Sequence, residues 1–392
     1  MDIAVSPYFS RRVVSRPAPG HQAALERCLD RLRNAMPTIG LRNPKIGRPD
    51  LTWDYCDRGD WVIGFHSGQL WLAHQLTGDP VFRDAARARR PEFRYILEHR
   101  RFRDHDLGFQ FSLHSVADWL ATGDPEARTM ALAAADGLVA RFRDDGGYIQ
   151  AWNPSPTDPG RSAYVNGRMI ADTMQNLALL HWAHAETGVA DFRDVAERHA
   201  ATSARHLVRA DGTSFHTFLF DPATGAPIGG RTHQGHADDS CWARGQAWLL
   251  HGFAHVFSAT GNPAHLDTAR RLAETLRRLM GDDRVPVWDF SAPSDGGRIV
   301  DSAAGAVAAA GLHLLASVTD GDEAEGWRAF GDRMIDGLIE TCDVTGVDGA
   351  LGLLARGAAH VRAGQRDAML PYGDYYYMEA LMRSLGHTRF FW

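Results

Sequence analysis

Three stretches of the chain set carboxylates, amides or arginine beside aromatic rings at the start of an apolar run. They are Arg103-Asp-His-Asp-Leu-Gly-Phe-Gln-Phe111, the stretch from Asn166 to Glu186, and Thr232-His-Gln-Gly-His-Ala-Asp-Asp-Ser-Cys-Trp-Ala-Arg-Gly-Gln-Ala-Trp248. This mixture suits a sugar, since a pyranose offers both apolar C–H faces and hydroxyls. Trp61, Trp152, Trp242 and Trp248 fall in or next to these stretches. From Met169 onward the middle stretch has helical length, and its apolar residues surround the axis, which predicts a helix buried on most sides. Asp172 falls one turn into that helix. A carboxylate buried alone is too costly, so it must be paired or stand at the edge of a cavity, which makes it the first candidate for acid–base chemistry. The competing reading of Asp106 and Asp172 is a helix cap or first-turn acid. It suits Asp106 better than the deeper Asp172.

The elements that must position these residues follow from punctuation. Six times an apolar run of helical length meets a short turn containing glycine: at Thr77-Gly-Asp-Pro80, Thr122-Gly-Asp-Pro125, Thr187-Gly-Val-Ala190, Thr260-Gly-Asn-Pro263, Thr319-Asp-Gly-Asp322 and Ser384-Leu-Gly-His387. Glycine there can take the left-handed cap, and in three cases proline follows where the next helix should begin. The intervals are unequal, so the unit repeats without the fixed period of a solenoid. The partners Val81–Arg101, Pro125–Arg143, Asp191–Arg209 and Pro263–Met280 carry Arg, Asp and Glu on one face and predict an outer layer. The amphipathic stretch His21–Met36 supplies a sixth outer helix against the last inner one. The expectation is all-α: an (α/α)6 toroid, or six-hairpin barrel, with buried inner and amphipathic outer helices. It is expected to form one catalytic domain over 1–392, with 1–20 irregular. The loops 43–60, 144–166, 210–240, 282–301 and 342–371 would all emerge on one end of the ring, where sites are built.

The 392 residues, 44% hydrophobic and 10% aromatic, suffice for a large core, and 42 basic against 48 acidic residues give a net charge of −6. No basic block attracts nucleic acid, and no run approaches the length of a signal peptide or membrane span. Cys28, Cys56, Cys241 and Cys342 lack paired metal spacing and read as buried thiols of a reducing compartment, so a cytoplasmic protein is expected.

The motifs then become specific. Trp61-Val-Ile-Gly-Phe65 with Leu70-Trp-Leu-Ala73, His105-Asp-Leu-Gly-Phe109, Gln150-Ala-Trp-Asn153, Ile170-Ala-Asp-Thr-Met-Gln-Asn-Leu177, His216-Thr-Phe-Leu-Phe-Asp221, Thr232-His-Gln-Gly235, Ser240-Cys-Trp-Ala-Arg-Gly-Gln-Ala-Trp248 and Tyr372-Gly-Asp-Tyr-Tyr376 run in order to the C-terminus. Together they resemble the unsaturated glucuronyl hydrolases of glycoside hydrolase family 88.

That resemblance implies hydration of the C4=C5 double bond of the unsaturated uronic acid that polysaccharide lyases leave at a non-reducing end. The substrates would be glycosaminoglycan fragments of chondroitin, hyaluronan or heparin type, and no cofactor or metal is implied. Asp172 matches the acid that protonates C4 and takes a proton from the water adding at C5. Asp106 matches a second carboxylate that orients the uronate and influences Asp172, like charges pushing one pKa upward. His216 and Gln234 would hold hydroxyls and water, and Arg244 would sit near the substrate carboxylate. Trp61, Trp152, Trp242 and Trp248 would form stacking walls, and Tyr372 would join the substrate-binding set. The alternative for Arg244 is a structural pair with Asp238 or Asp239. His233, His236, Asp238 and Asp239 match no standard metal spacing. His66 departs from the family pattern, where an aromatic residue is expected, and would alter one pocket wall. The alternatives are an unsaturated rhamnogalacturonyl hydrolase on the same toroid, a sugar isomerase or epimerase, and a non-catalytic sugar-binding protein.

Overall fold

Gly78, Gly123, Gly188 and Gly261 each stand directly after an inner helix in the left-handed region, with φ of 69°, 71°, 73° and 71°. Pro80, Pro125 and Pro263 then open the next helix, behind Asp79, Asp124 and Asn262, whose side chains accept first-turn N–H groups. The fifth turn differs: Gly321 (φ 58°) begins the following helix, and the preceding one ends at Ser317.

The computed structural model describes residues 19–293 and 297–392; most of the segment expected to be irregular, 1–18, lies outside them. Helix α1 (Pro19–Ile39) leads through β1 (Pro44–Gly47) and β2 (Trp53–Tyr55) to α2 (Ile63–Thr77). The partner expected at Val81–Arg101 is two helices, α3 (Pro80–Arg87) and α4 (Arg90–Glu98). Pro91 in the first turn of α4 lacks the N–H that a continuous helix needs, so the chain breaks before it. Then come α5 (Leu107–Phe111), a π turn (Ser112–Val116), α6 (Ala117–Thr122), α7 (Pro125–Val139), β3 (Phe142–Arg143), β4 (Tyr148–Ile149) and α8 (Pro159–Val165). Next are β5 (Arg168–Ile170), α9 (Thr173–Thr187), α10 (Ala190–His206), β6 (Thr217–Phe220) and β7 (Pro227–Arg231). The chain finishes with α11 (Ala243–Thr260), α12 (Pro263–Met280), α13 (Ser302–Ser317), α14 (Gly321–Thr341) and α15 (Pro371–Ser384).

The inner helices α2, α5–α6, α9, α11, α13 and α15 each pack on the next, and α15 returns to α2, closing a ring. Helices α3–α4, α7, α10, α12 and α14 lie outside, and α1 seals the seam against α14 and α15. This is the expected (α/α)6 toroid, decorated by small antiparallel sheets: β1 with β2, β3 with β4, and β5-β6-β7. Met169 and Ile170, expected in a helix, pair instead with Phe218 and Thr217 in that last sheet. Burial on all sides misled here, because a short strand enclosed by loops is as apolar around its axis as an inner helix.

The loops meet at the end of the ring that holds the inner-helix N-termini. Leu351 N–H donates to Leu51 O (2.9 Å), Gly47 N–H to Met369 O (2.8 Å), and Gln234 Nε2 to Ala359 O (2.7 Å). The opposite end is sealed. Glu379, wholly buried, accepts from His251 Nε2 (3.0 Å), Arg383 Nε (2.8 Å) and Trp392 Nε1 (2.6 Å), and the Trp392 ring stacks on Tyr376 at 5.8 Å and 9°. Among the described residues no helix is long and apolar enough to cross a membrane.

Candidate active site

Asp106 and Asp172 occupy equivalent places, at the N-cap positions of α5 and α9, which are neighbouring inner helices. Asp172 is therefore not one turn into its helix. Neither carboxylate caps a backbone N–H, so the capping alternative explains neither acid. The two helices are tied at this level. Asn176 Oδ1 accepts from Phe109 N–H (2.6 Å), while Asn176 Nδ2 donates to Asp172 O (3.2 Å). A Cβ on Gly108 would lie 2.3 Å from Asn176 Cα, so only glycine allows this approach.

His216, on the turn into β6, accepts at Nδ1 from the backbone N–H groups of His233 and Gln234, both at 3.2 Å. Amide N–H groups only donate, so the imidazole proton of the neutral ring resides on Nε2. That Nε2–H faces Asp172 Oδ2 across 3.7 Å, too far for a hydrogen bond, and both atoms are buried with no partner. A donor and an acceptor are thus held open toward each other.

Burial pushes Asp106 well above the usual carboxylate range, with the negative charges of Asp104, Asp172 and Asp60 adding to it. Burial pushes Asp172 up as well, but His216, His105 and Arg244 more than offset it, leaving Asp172 below its ordinary value. The pair is split as expected for close acids, but the raised member is Asp106 and not Asp172. Burial also holds His216 below its ordinary value, and His105 and His233 down to about 4, so all three are neutral near pH 7. His105 joins Asp106 to the first residue of α9, with Nε2 3.4 Å from Asp106 Oδ2 and Nδ1 3.2 Å from Thr173 Oγ1.

The walls sort by exposure. Trp61, stacked on Tyr372 at 5.2 Å and 29°, and Trp152, stacked on Tyr164 at 6.1 Å and 24°, are half-buried and keep accessible faces. Trp242 is 2% exposed and stacks on His216 at 4.0 Å. Trp248 is 0% exposed, packed on Phe109 (5.2 Å) and Tyr376 (5.3 Å) in the ring's core, so it supports the floor and offers no open stacking face. Tyr372, buried in the first turn of α15, braces Trp61.

Arg244 pairs with neither Asp238 nor Asp239. Its Nη1 bonds Asp301 and Ala358 O (2.8 Å), and its Nη2 bonds Ala359 O (2.9 Å). Its guanidinium lies over Trp242 (4.5 Å) and Tyr372 (5.2 Å), close enough to lower Asp172 by its charge. Gln234 reaches the same loop, at Ala359 O. His66 is 2% exposed on α2 and lies within the field of Arg89. Among the described residues no group of three or more His, Cys, Asp or Glu is arranged to hold a metal. His233 instead joins the rim, bonded through Nδ1 to Tyr164 Oη (2.9 Å) and packed near Trp152 (4.9 Å) and His360 (5.6 Å). Tyr164, on α8, and His233 and His360, on two loops, come from three separate parts of the chain, and no spacing in the sequence could assemble them. His105 had a signal, its place beside Asp106.

No family model matches the chain. It is similar to the unsaturated glucuronyl hydrolase of Bacillus sp. (strain GL1), 41% identical over 355 residues covering 88% of this chain and 91% of the relative. It is also similar to the unsaturated chondroitin disaccharide hydrolase of Streptococcus pyogenes serotype M1, 34% identical over 369 residues, 92% and 90% of the two chains. The crystal structure of the Bacillus sp. GL1 unsaturated glucuronyl hydrolase, responsible for the degradation of glycosaminoglycan, superposes with a TM-score of 0.87 at 40% identity, covering 93% of this chain and 96% of that one.

Proposed function

The chain belongs to the unsaturated glucuronyl hydrolases, and from that premise we propose that Asp172 is its acid–base residue, with Asp106 as the partner that stores the proton and His216 as the residue that orients water. The substrate is a lyase-derived glycosaminoglycan disaccharide or oligosaccharide ending in an unsaturated glucuronic acid. The chondroitin disaccharide activity in the name of the Streptococcus pyogenes relative supports this class.

The observation that carries the reading is the open pair of His216 Nε2–H and Asp172 Oδ2, 3.7 Å apart and unpartnered. A small separation of the two on substrate binding would let a water lie between them, donating one proton to the carboxylate and accepting the imidazole N–H. In the reaction, Asp172 in its acid form delivers a proton to C4 of the vinyl ether. Positive charge develops at C5 and the ring oxygen, and the water adds at C5 while its proton returns to Asp172. The resulting hemiketal opens and releases the next sugar. Trp61 and Trp152 supply the accessible apolar faces.

The buried, unpaired thiols of Cys28, Cys241 and Cys342 support a cytoplasmic location. The test is the ultraviolet absorbance of the C4=C5 bond in unsaturated chondroitin, hyaluronan and heparin disaccharides. The wild type is expected to abolish it for at least one, and Asp172→Asn to fold normally without turnover. Unchanged absorbance with all three sets the activity aside, and an active Asp172→Asn moves the acid–base role to another residue.

A further inference from the structure

The loop from Cys342 to Leu370 borders the mouth and is held at several points: its first part by Arg31, which donates to Thr345 O, Val347 O and Ala350 O, its middle by Asp374, which accepts from Leu353 N–H (3.0 Å) and Leu354 N–H (2.9 Å), and the segment at Ala358–Ala359 by a second buried carboxylate. Asp301, wholly buried at the N-cap of α13, receives three donors: Ala303 N–H at the helix start (3.1 Å), Ala358 N–H from the loop (3.2 Å), and the Arg244 guanidinium. Arg244 in turn donates to Ala358 O and Ala359 O, and Gln234 donates to Ala359 O from across the mouth. Both carbonyls and one N–H of a two-residue segment are thereby fixed. The segment continues into a narrow hairpin, with Gly357 opposite Ala368 and His360 opposite Gln365, which brings His360 to His233 on the rim. A cap needs one of the two carboxylate oxygens. The other, together with the buried charge, serves Arg244.

We propose that Asp301 is a positioning residue for the hydrolase reaction: by pairing Arg244 and holding Ala358 it fixes the loop wall at Ala358–His360 that meets the departing sugar. Asp301 touches no substrate. It acts through Arg244 and the loop, and the proposal rests on the activity given above. It separates Asp301 from Asp79 and Asp124, capping aspartates whose second oxygens meet outer-layer arginines at the far end of the inner helices, Arg33 for Asp79 and Arg87 and Arg90 for Asp124.

The experiment compares Asp301→Asn with the wild type on an unsaturated chondroitin disaccharide. Asparagine keeps an oxygen for the cap and for Ala358 N–H but removes the charge that orients Arg244. The expected result is a KM raised about tenfold or more with kcat changed far less, because the lost wall contributes to binding the sugar and not to the proton transfer. Disaccharide affinity measured in the turnover-deficient Asp172→Asn background should fall by the same factor when Asp301→Asn is added. Amide hydrogen exchange at 355–366 should accelerate, and Asp301→Glu should recover part of the KM. An unchanged KM, or a kcat that merely tracks the folded fraction, overturns the proposal. Should Asp301→Asn not fold, Asp301→Glu carries the test alone, since it keeps the charge but displaces the paired groups; an unchanged KM there overturns the proposal equally. A wild type without turnover would instead count against the assigned activity.

Discussion

Replacing Asp106 by asparagine isolates the ionisation of Asp172. The side chain of Asp106 caps no helix and its nearest polar contact is His105 Nε2 at 3.4 Å, which an amide oxygen can also accept, so the variant keeps its fold. In the wild type Asp172 is held below the ordinary carboxylate value and Asp106 well above it, so on the reading proposed above Asp106 keeps a proton where Asp172 has lost its own. That proton can pass to Asp172 without drawing on bulk pH, which gives a flat profile of kcat/KM between the two limbs. With asparagine at 106 the store is gone. Asp172 titrates alone from below its ordinary 3.8, and each pH unit above that lowers its acid form tenfold. From about pH 5 to about pH 7 the ratio of variant to wild-type kcat/KM should therefore fall roughly 100-fold. The assay is the loss of C4=C5 absorbance in buffers of constant ionic strength. A ratio constant across this window refutes the reasoning and leaves Asp106 a substrate-binding group only.

The remaining expectations address the scaffold and the walls. Gly108→Ala forces α5 from α9 at Asn176, and overpacking of this kind costs about 1–3 kcal/mol in denaturant unfolding, with a loss of kcat as the acids separate. Trp248→Ala should destabilise the fold by about 3–5 kcal/mol as a buried core residue, whereas Trp152→Ala should leave stability nearly unchanged and raise KM. Glu379 is depressed from 4.5 to about 2 because Arg383, His251 and Trp392 outweigh its burial. Its contribution, about 3 kcal/mol, is fully present above pH 4.5 and lost as pH falls toward about 2, so Glu379→Gln should flatten the difference in stability across that window.

The toroid was legible because its signals are local: a left-handed glycine and a following proline state where a helix stops and the next starts. The expectation that Asp106 partners Asp172 came from the resemblance of their motifs to the family and not from the toroid itself. What escaped were relations between distant loops. Asp301 reads as an ordinary helix cap until Arg244 arrives from 57 residues away to share it. Trp242 and Trp248 lie six residues apart in one motif, yet one stacks on His216 and the other supports the floor. Composition could not separate them, since both faces of an inner helix are apolar. The direction of the carboxylate split was equally hidden, being decided by the histidines and arginine around Asp172.

The sealed end of the ring limits how a polymer can be handled. With Glu379, Trp392 and the stacked Tyr376 filling the axis opposite the loops, the pocket is a cul-de-sac and not a tunnel. A chain can enter only by its terminus and must leave by the mouth it came through. The released uronate has no separate exit, so the shortened chain must withdraw before the pocket can clear. The shortened chain no longer ends in a C4=C5 bond, so each chain end is processed once.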